Sequence, residues 1–178
     1  QWWPMTLMPW VDALPLNEWV AATVSDGARL RSAAEQFAGI VEDLERLGAA
    51  HGDLQHGNIL VRPDGRMVLI DYDGMFVPQL AGLQSTELGQ RNFQHSGRRG
   101  RHFDASLDSF AFSLLDLTLH ALCRRPELWE QTDSDADAFI LRAADIADPA
   151  NSPAFSLLAS VPELDASFGW PGIFSRSW

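Results

Sequence analysis

Lysine is absent from all 178 residues, so each of the 13 basic residues is an arginine. Chemistry that needs an ammonium point charge on a phosphate finds none in this chain. Cysteine occurs once, as Cys123, which excludes an internal disulfide framework. In an apolar helical stretch it reads as a small core residue. No apolar run approaches the ~20 residues that a membrane-spanning helix needs, and no signal peptide is visible. The expected compartment is the cytoplasm. Positive charge is in deficit as well. A net charge of −11 and a pI of about 4.7 argue against nucleic acid or an anionic membrane as the main partner. Repeats and low-complexity tracts are missing too. What remains is the composition of a globular protein, 46% hydrophobic with seven Trp, long enough for one cored domain. The chain opens at Gln1 and ends at Trp178, and it reads as a piece of a longer protein.

The most informative stretch runs from His51 to Gly74, HGDLQHGNILVRPDGRMVLIDYDG. Ile59-Leu60-Val61 and Met67-Val68-Leu69-Ile70 are short apolar, partly β-branched runs. Between them Arg62-Pro63-Asp64-Gly65-Arg66 supplies turn residues, and the pattern predicts a β-hairpin. Asp53 and Asn58 then precede the first strand and Asp71 follows the second, so the hairpin brings three oxygen-bearing side chains together. Such oxygen donors suit Mg²⁺, which is held by one or two carboxylates plus substrate phosphates.

His51-Gly52-Asp53-Leu54-Gln55-His56-Gly57-Asn58 fits the pattern H-R-D-x-x-x-x-N, and Asp71-Tyr72-Asp73 stands where D-F-G stands. The stretch thus resembles the catalytic core of the protein kinase-like superfamily. His-Gly-Asp in place of His-Arg-Asp is more similar to aminoglycoside and other small-molecule kinases and to atypical bacterial kinases. The resemblance implies that Asp53 orients and deprotonates an acceptor hydroxyl, while Asn58 and Asp71 hold the metal. Asp71-Tyr72-Asp73-Gly74 also resembles the D-x-D-G nucleophile motif of haloacid dehalogenase-like phosphatases. That reading leaves His51–Asn58 unexplained and wants a downstream lysine. A calcium loop counted from Asp71 fails at its twelfth position, which is Gly82.

Upstream, Gln1 to Val11 is apolar and aromatic, with a strand expected from Met5 to Met8. By the resemblance this is the last N-lobe strand running into the hinge. Met8 would be the gatekeeper, Pro9 and Val11 would face adenine, and Leu60 and Ile70 would complete the nucleotide pocket. A short helix is expected from Pro15, ended by Ser25-Asp26-Gly27. Over Ala28 to Leu47 the residues Leu30, Ala34, Phe37, Val41, Leu44 and Leu47 form one helical stripe, with Gly48 as C-cap.

Downstream, residues 75–102 would be an activation segment. Its Arg98-Arg99-Gly100-Arg101 run reads as a solvated turn, with docking of an acidic peptide or phosphate as the minor reading, and the family's A-P-E triplet is absent. Asp104-Ala105-Ser106 can cap a helix over Leu107 to Leu122 that is apolar on nearly every side, hence buried. Asp108 on that helix needs hydrogen-bond partners. By the resemblance it supports His51 and Gly52. Further helices are expected from Pro126, from the Asp133-Ser134-Asp135 cap towards Arg142, and from Ser152-Pro153 through Ala159.

The expected fold is mostly α with a small β-hairpin (α+β), a kinase-like C-lobe whose N-lobe is absent from this chain. The expected division is 1–11 as strand and hinge and 12–178 as C-lobe. Within it lie the catalytic loop 51–58, the metal-binding motif 71–73 and the core helix 107–122. The implied function is ATP- and Mg²⁺-dependent phosphoryl transfer to a hydroxyl, on protein Ser/Thr in preference to a small molecule. The Gly-rich loop, β3 Lys and αC Glu would belong to the N-lobe of the same parent chain, so this piece alone would be inactive. The alternative is a non-catalytic pseudokinase or interaction module, which Gln55 in the usual place of a lysine favours.

Overall fold

Asp26 begins the longest helix by accepting two hydrogen bonds on one carboxylate oxygen, from the amides of Ala28 (3.2 Å) and Arg29 (3.1 Å). The computed structural model describes residues 8–135, 137–161 and 164. In it this helix, α2, spans Gly27–Arg46 and buries Leu30, Ala34, Phe37 and Val41 along the predicted stripe. It ends in paired bonds from Gly48 N–H to the Glu45 carbonyl and from Ala49 N–H to the Leu44 carbonyl, both 2.9 Å. Leu44 is partly buried against the core, but Leu47 lies past the last turn and is 61% exposed. The stripe therefore stops one turn earlier than its periodicity suggests.

α2 packs on the core helix α3, Ser109–Arg124, where the Phe37 and Phe112 rings approach to 5.6 Å between centroids. α3 begins two residues later than expected. Asp104 holds a separate turn, accepting from the Ser106 amide at 2.8 Å and the Ser106 hydroxyl at 2.6 Å. No residue of α3 from 110 to 122 is fully exposed, in keeping with its all-round apolar sequence. Leu115, Leu119 and Leu122 are completely buried, and truncating one such leucine to alanine costs about 2–5 kcal/mol.

The sheet has three short antiparallel strands in the order β1 (Leu14–Pro15), β2 (Ile59–Val61) and β3 (Met67–Leu69). The predicted hairpin is its β2–β3 part, with Ile59 opposite Leu69 and Val61 opposite Met67. Gly65 N–H and Arg62 C=O close its turn at 2.9 Å, while the Asp64 carboxylate accepts from the Arg66 amide and guanidinium. β1 was not expected. It lies on the edge, where Pro15 needs no ladder donor. The strand expected upstream falls on residues 5–7, outside the described ones, and on Met8, which is irregular and exposed. Ile59, Val61 and Leu69 bury one face of the sheet; Leu60 and Val68 lie half-buried on the other.

Helix α1 (Leu16–Thr23) follows β1, and α4 (Leu128–Gln131), α5 (Ala143–Ala147) and α6 (Pro153–Ala159) complete the order. α6 opens as predicted, with Ser152 Oγ accepting from the Phe155 amide at 3.1 Å. The helix expected from Asp135 to Arg142 does not form. Asp135 accepts from the Asp137 and Ala138 amides, and Ser134 Oγ accepts from the Ile140 amide at 2.9 Å. These side chains take the amides that a helix would use. The irregular path buries Ala138, Phe139, Ile140 and Leu141 together, which no single helical face could do. The result is an α+β fold, and among the described residues no helix is long and apolar enough to cross a membrane.

Candidate active site

The site rests on Asp108. This residue sits at the N-cap of α3, yet its carboxylate turns away from the helix to receive the amides of His51 and, at 2.9 Å, Gly52. Burial pushes the Asp108 carboxyl up from its ordinary range, and the Gly52 and His51 donors, with the nearby Arg98, pull it back. His51 is fully buried and donates from Nε2 to the Ile70 carbonyl at 2.8 Å. A carbonyl only accepts, so Nε2 carries the proton. An antiparallel bridge between Ala50 and Phe76 fastens the loop on its other side.

Gly52 explains its own identity. Its φ is +87°, and a Cβ there would stand 2.0 Å from the Gly74 carbonyl oxygen. The loop and the Asp71–Gly74 turn approach too closely for any side chain at this position.

Asp53 is half-buried at the end of this loop. Asn58 donates from Nδ2 to the Asp53 carbonyl (2.9 Å) and carboxylate (3.2 Å), which leaves Asn58 Oδ1 as the acceptor of that amide. Ile70 lies one residue beyond β3, yet its N–H still reaches the Asn58 carbonyl at 3.0 Å. The hairpin therefore joins the Asn58 and Asp71 ends through backbone. Asp71 itself is exposed in the left-handed region, at φ 65°. Its carboxylate accepts no hydrogen bond among the described residues, so it is open to a cation. Gln55 instead caps its own turn, accepting from the Gly57 amide at 2.9 Å. Of the residues expected around a nucleotide, Met8 and Pro9 are exposed, while Val11, Leu60 and Ile70 are half-buried.

Three features escaped the sequence reading. Arg98 is not in a solvated turn: it is 6% exposed and donates to the Gly52 carbonyl at 3.0 Å and to Gln94 Oε1 at 2.6 Å. Burial lowers its pKa, offset in part by Asp108 and Asp53. The Gln90 amide donates to Asp53 Oδ1 at 2.7 Å, so the 75–102 segment folds directly onto that carboxylate. His56 is buried between the Phe93 and Phe139 rings, each 4.8 Å away, and burial holds it down to about 4. Contacts of this kind, between groups far apart in the chain, leave no periodic signature. The arginine triplet alone hinted at Arg98.

Among the described residues no group of three or more His, Cys, Asp or Glu gathers at one metal site. One carboxylate and one amide oxygen, with phosphates supplying the rest, nonetheless suit Mg²⁺ better than a softer ion. The model of the lipopolysaccharide kinase (Kdo/WaaP) family matches residues 7–75, which contain the loop, the hairpin and Asp71. An EKC/KEOPS complex subunit BUD32 from Chaetomium globosum is 32% identical over 73 residues, 33% of this chain and 27% of that protein. Both findings support a protein kinase-like superfamily. The chain spans about a quarter of the length of that relative.

Proposed function

We propose that the protein transfers the γ-phosphoryl group of ATP to a hydroxyl acceptor, with Asp53 as the base and Asn58 and Asp71 as the cation ligands. The observation that carries this reading is the Asp108 carboxylate gripping two consecutive amides of the loop that ends in Asp53. A buried carboxylate spent on loop geometry fixes the position of one side chain, and phosphoryl transfer depends chiefly on positioning and charge stabilisation. Magnesium bound there would supply charge neutralisation of the nucleotide phosphates. Asn58 fixes the Asp53 carboxylate through Nδ2. Leu60 and Ile70 offer apolar surface to the base of the nucleotide. A protein Ser/Thr hydroxyl is our first choice of acceptor. The matched family's description favours a saccharide hydroxyl as the second.

A non-catalytic interaction module is the competing reading, favoured by the Gln90 amide on Asp53 and by Gln55 being engaged with the Gly57 amide. The two readings separate in the full-length protein. Asp71→Asn removes charge facing the cation and weakens Mg·ATP binding itself. Asp53→Asn leaves the cation ligands whole, spares nucleotide binding and cuts turnover by roughly 10²–10⁴-fold. Full turnover in Asp53→Asn would sink the proposal. A phospho-aspartate lost in Asp71→Asn, with Asp53 irrelevant, would point to the phosphatase chemistry instead.

A further inference from the structure

Beside Asp53 lies a cleft of about 400 Å³ between the 88–99 segment and α5. Arg91, Arg98 and Arg99 line it together with apolar Leu88 and Ile146, and among the described residues no Asp or Glu lines it. That is unexpected in a chain with 24 acidic and 13 basic residues. Arg98 is buried and fixed beneath the cleft by Gly52 and Gln94, carrying its charge without a carboxylate contact. Arg99 is exposed and uses one Nη on the Ser96 and Arg98 carbonyls, which orients its guanidinium and leaves other donors outward. Arg91 is exposed and its side chain makes no hydrogen bond or ion pair among the described residues. Gly89 separates the cleft from the base, since a Cβ there would meet Asp53 Oδ1 at 2.6 Å and Gln94 Nε2 at 2.7 Å.

We propose that this cleft is the acceptor subsite and that it selects a hydroxyl compound carrying its own phosphate or carboxylate. The inference rests on the phosphotransfer reading for Asp53 and adds the substrate's charge to it. The exposed guanidiniums of Arg91 and Arg99 suit the forked recognition of such groups, while buried Arg98, already bonded to protein oxygens, adds only its charge. The volume is that of a small-molecule site or of one anchored side chain. The chain as a whole, at a net −11, repels the same anion, and an arginine-lined cleft next to Asp53 offsets that repulsion where the hydroxyl must react. Leu88 and Ile146 would cover the carbon skeleton between the two polar ends.

Calorimetric titration of the full-length protein with glucose 6-phosphate, glucose, a phosphoserine peptide and its serine counterpart tests this without requiring turnover. The anionic member of at least one pair should bind, its neutral partner should bind at least tenfold more weakly, and binding should fall as salt rises. Arg91→Ala and Arg99→Ala are exposed changes that keep the fold, checked by thermal melting. Each should weaken the anionic probe on the order of tenfold. Preference for the peptide marks a protein acceptor and preference for the sugar a small one; either supports the subsite. Equal binding of charged and neutral probes, or binding that survives both substitutions, overturns it. Anion binding that persists in a protein without phosphotransfer activity would leave the subsite standing and remove the catalytic reading.

Discussion

At the scale of single residues, the site owes its shape to two positions where ordinary side chains fail. Gly52 occupies the place that an arginine fills in His-Arg-Asp loops. Its φ of +87° and the 2.0 Å approach to Gly74 make that replacement impossible without moving backbone. Gly52→Arg should therefore not create a better kinase but destabilise the fold by about 2 kcal/mol or more. Urea denaturation of the variant checks this, and an unchanged midpoint would contradict the close approach. His56 is the second position. Its two ring nitrogens are buried without hydrogen-bond partners among the described residues, and its pKa falls from 6.5 to about 4 through burial, against the pull of Asp135 and Asp137. A group depressed on folding contributes stability that is complete above its unfolded pKa and lost as pH falls through the folded one. Between pH 7 and 5 the protein should lose about 2 kcal/mol through this residue. His56→Leu, which removes the titration without orphaning a partner, should flatten that slope in denaturation curves. An equal slope in both proteins would show that His56 is not the group responsible.

At the scale of elements, the contrast lies between what repeats along the chain and what is stitched across it. α2, α3 and the hairpin were legible because apolar residues recur at helical or strand spacing and turn residues separate them. The contact of Asp108 with the His51 and Gly52 amides was anticipated through the resemblance and through the cost of leaving a buried carboxylate unpaired. The Asp135–Arg142 segment was misread because a cap signal and short apolar run look helical until four adjacent residues must all be buried. β1 was missed because a two-residue strand containing Pro15 carries no alternation. The 88–98 segment has no periodicity at all. Its order comes from Arg98 on Gly52, Gln90 on Asp53 and Asn92, whose Nδ2 donates to the Asp137 carbonyl at 2.9 Å. Arg98→Ala should therefore loosen the segment as a unit, speeding hydrogen exchange of the Gln90 amide at least tenfold while α3 amides stay protected. If the Gln90 amide kept its protection, Arg98 would not be the fastener. Phosphorylation of Ser85 or Thr86 is a poor switch in this arrangement. Gly52 offers no guanidinium, and Arg98 is already committed to the Gly52 and Gln94 oxygens. Ser85→Ala/Thr86→Ala in the full-length protein should keep activity within about twofold, a change of under 0.5 kcal/mol. Its loss in a folded double variant would restore the switch.

At the scale of the whole molecule, the two faces of the small sheet set what this chain can do by itself. Ile59, Val61 and Leu69 seal the inner face into the core, whereas Leu60, Val68 and Ile70 leave the outer side half-open. Met8, ahead of β1, and Tyr72, just after Ile70, are exposed as well, at 48% and 43%. A nucleotide base lying on that surface would be covered from one side only, so much of its apolar area would stay in water. The phosphates would meet Asn58 and a cation on Asp71, but no ammonium, since the 178 residues contain no lysine. The net charge of −11 adds long-range repulsion of an anionic ligand. These three shortfalls act on the same complex, and each lowers affinity without touching the fold. The 178-residue chain should therefore fold cooperatively yet bind Mg·ATP with a dissociation constant of roughly 100 μM or weaker, and turn over little or none. Titration calorimetry on the chain alone decides this. A low-micromolar constant would mean that the half-open face closes over the base by itself, and Leu60 and Ile70 would then need no further surface to hold a nucleotide.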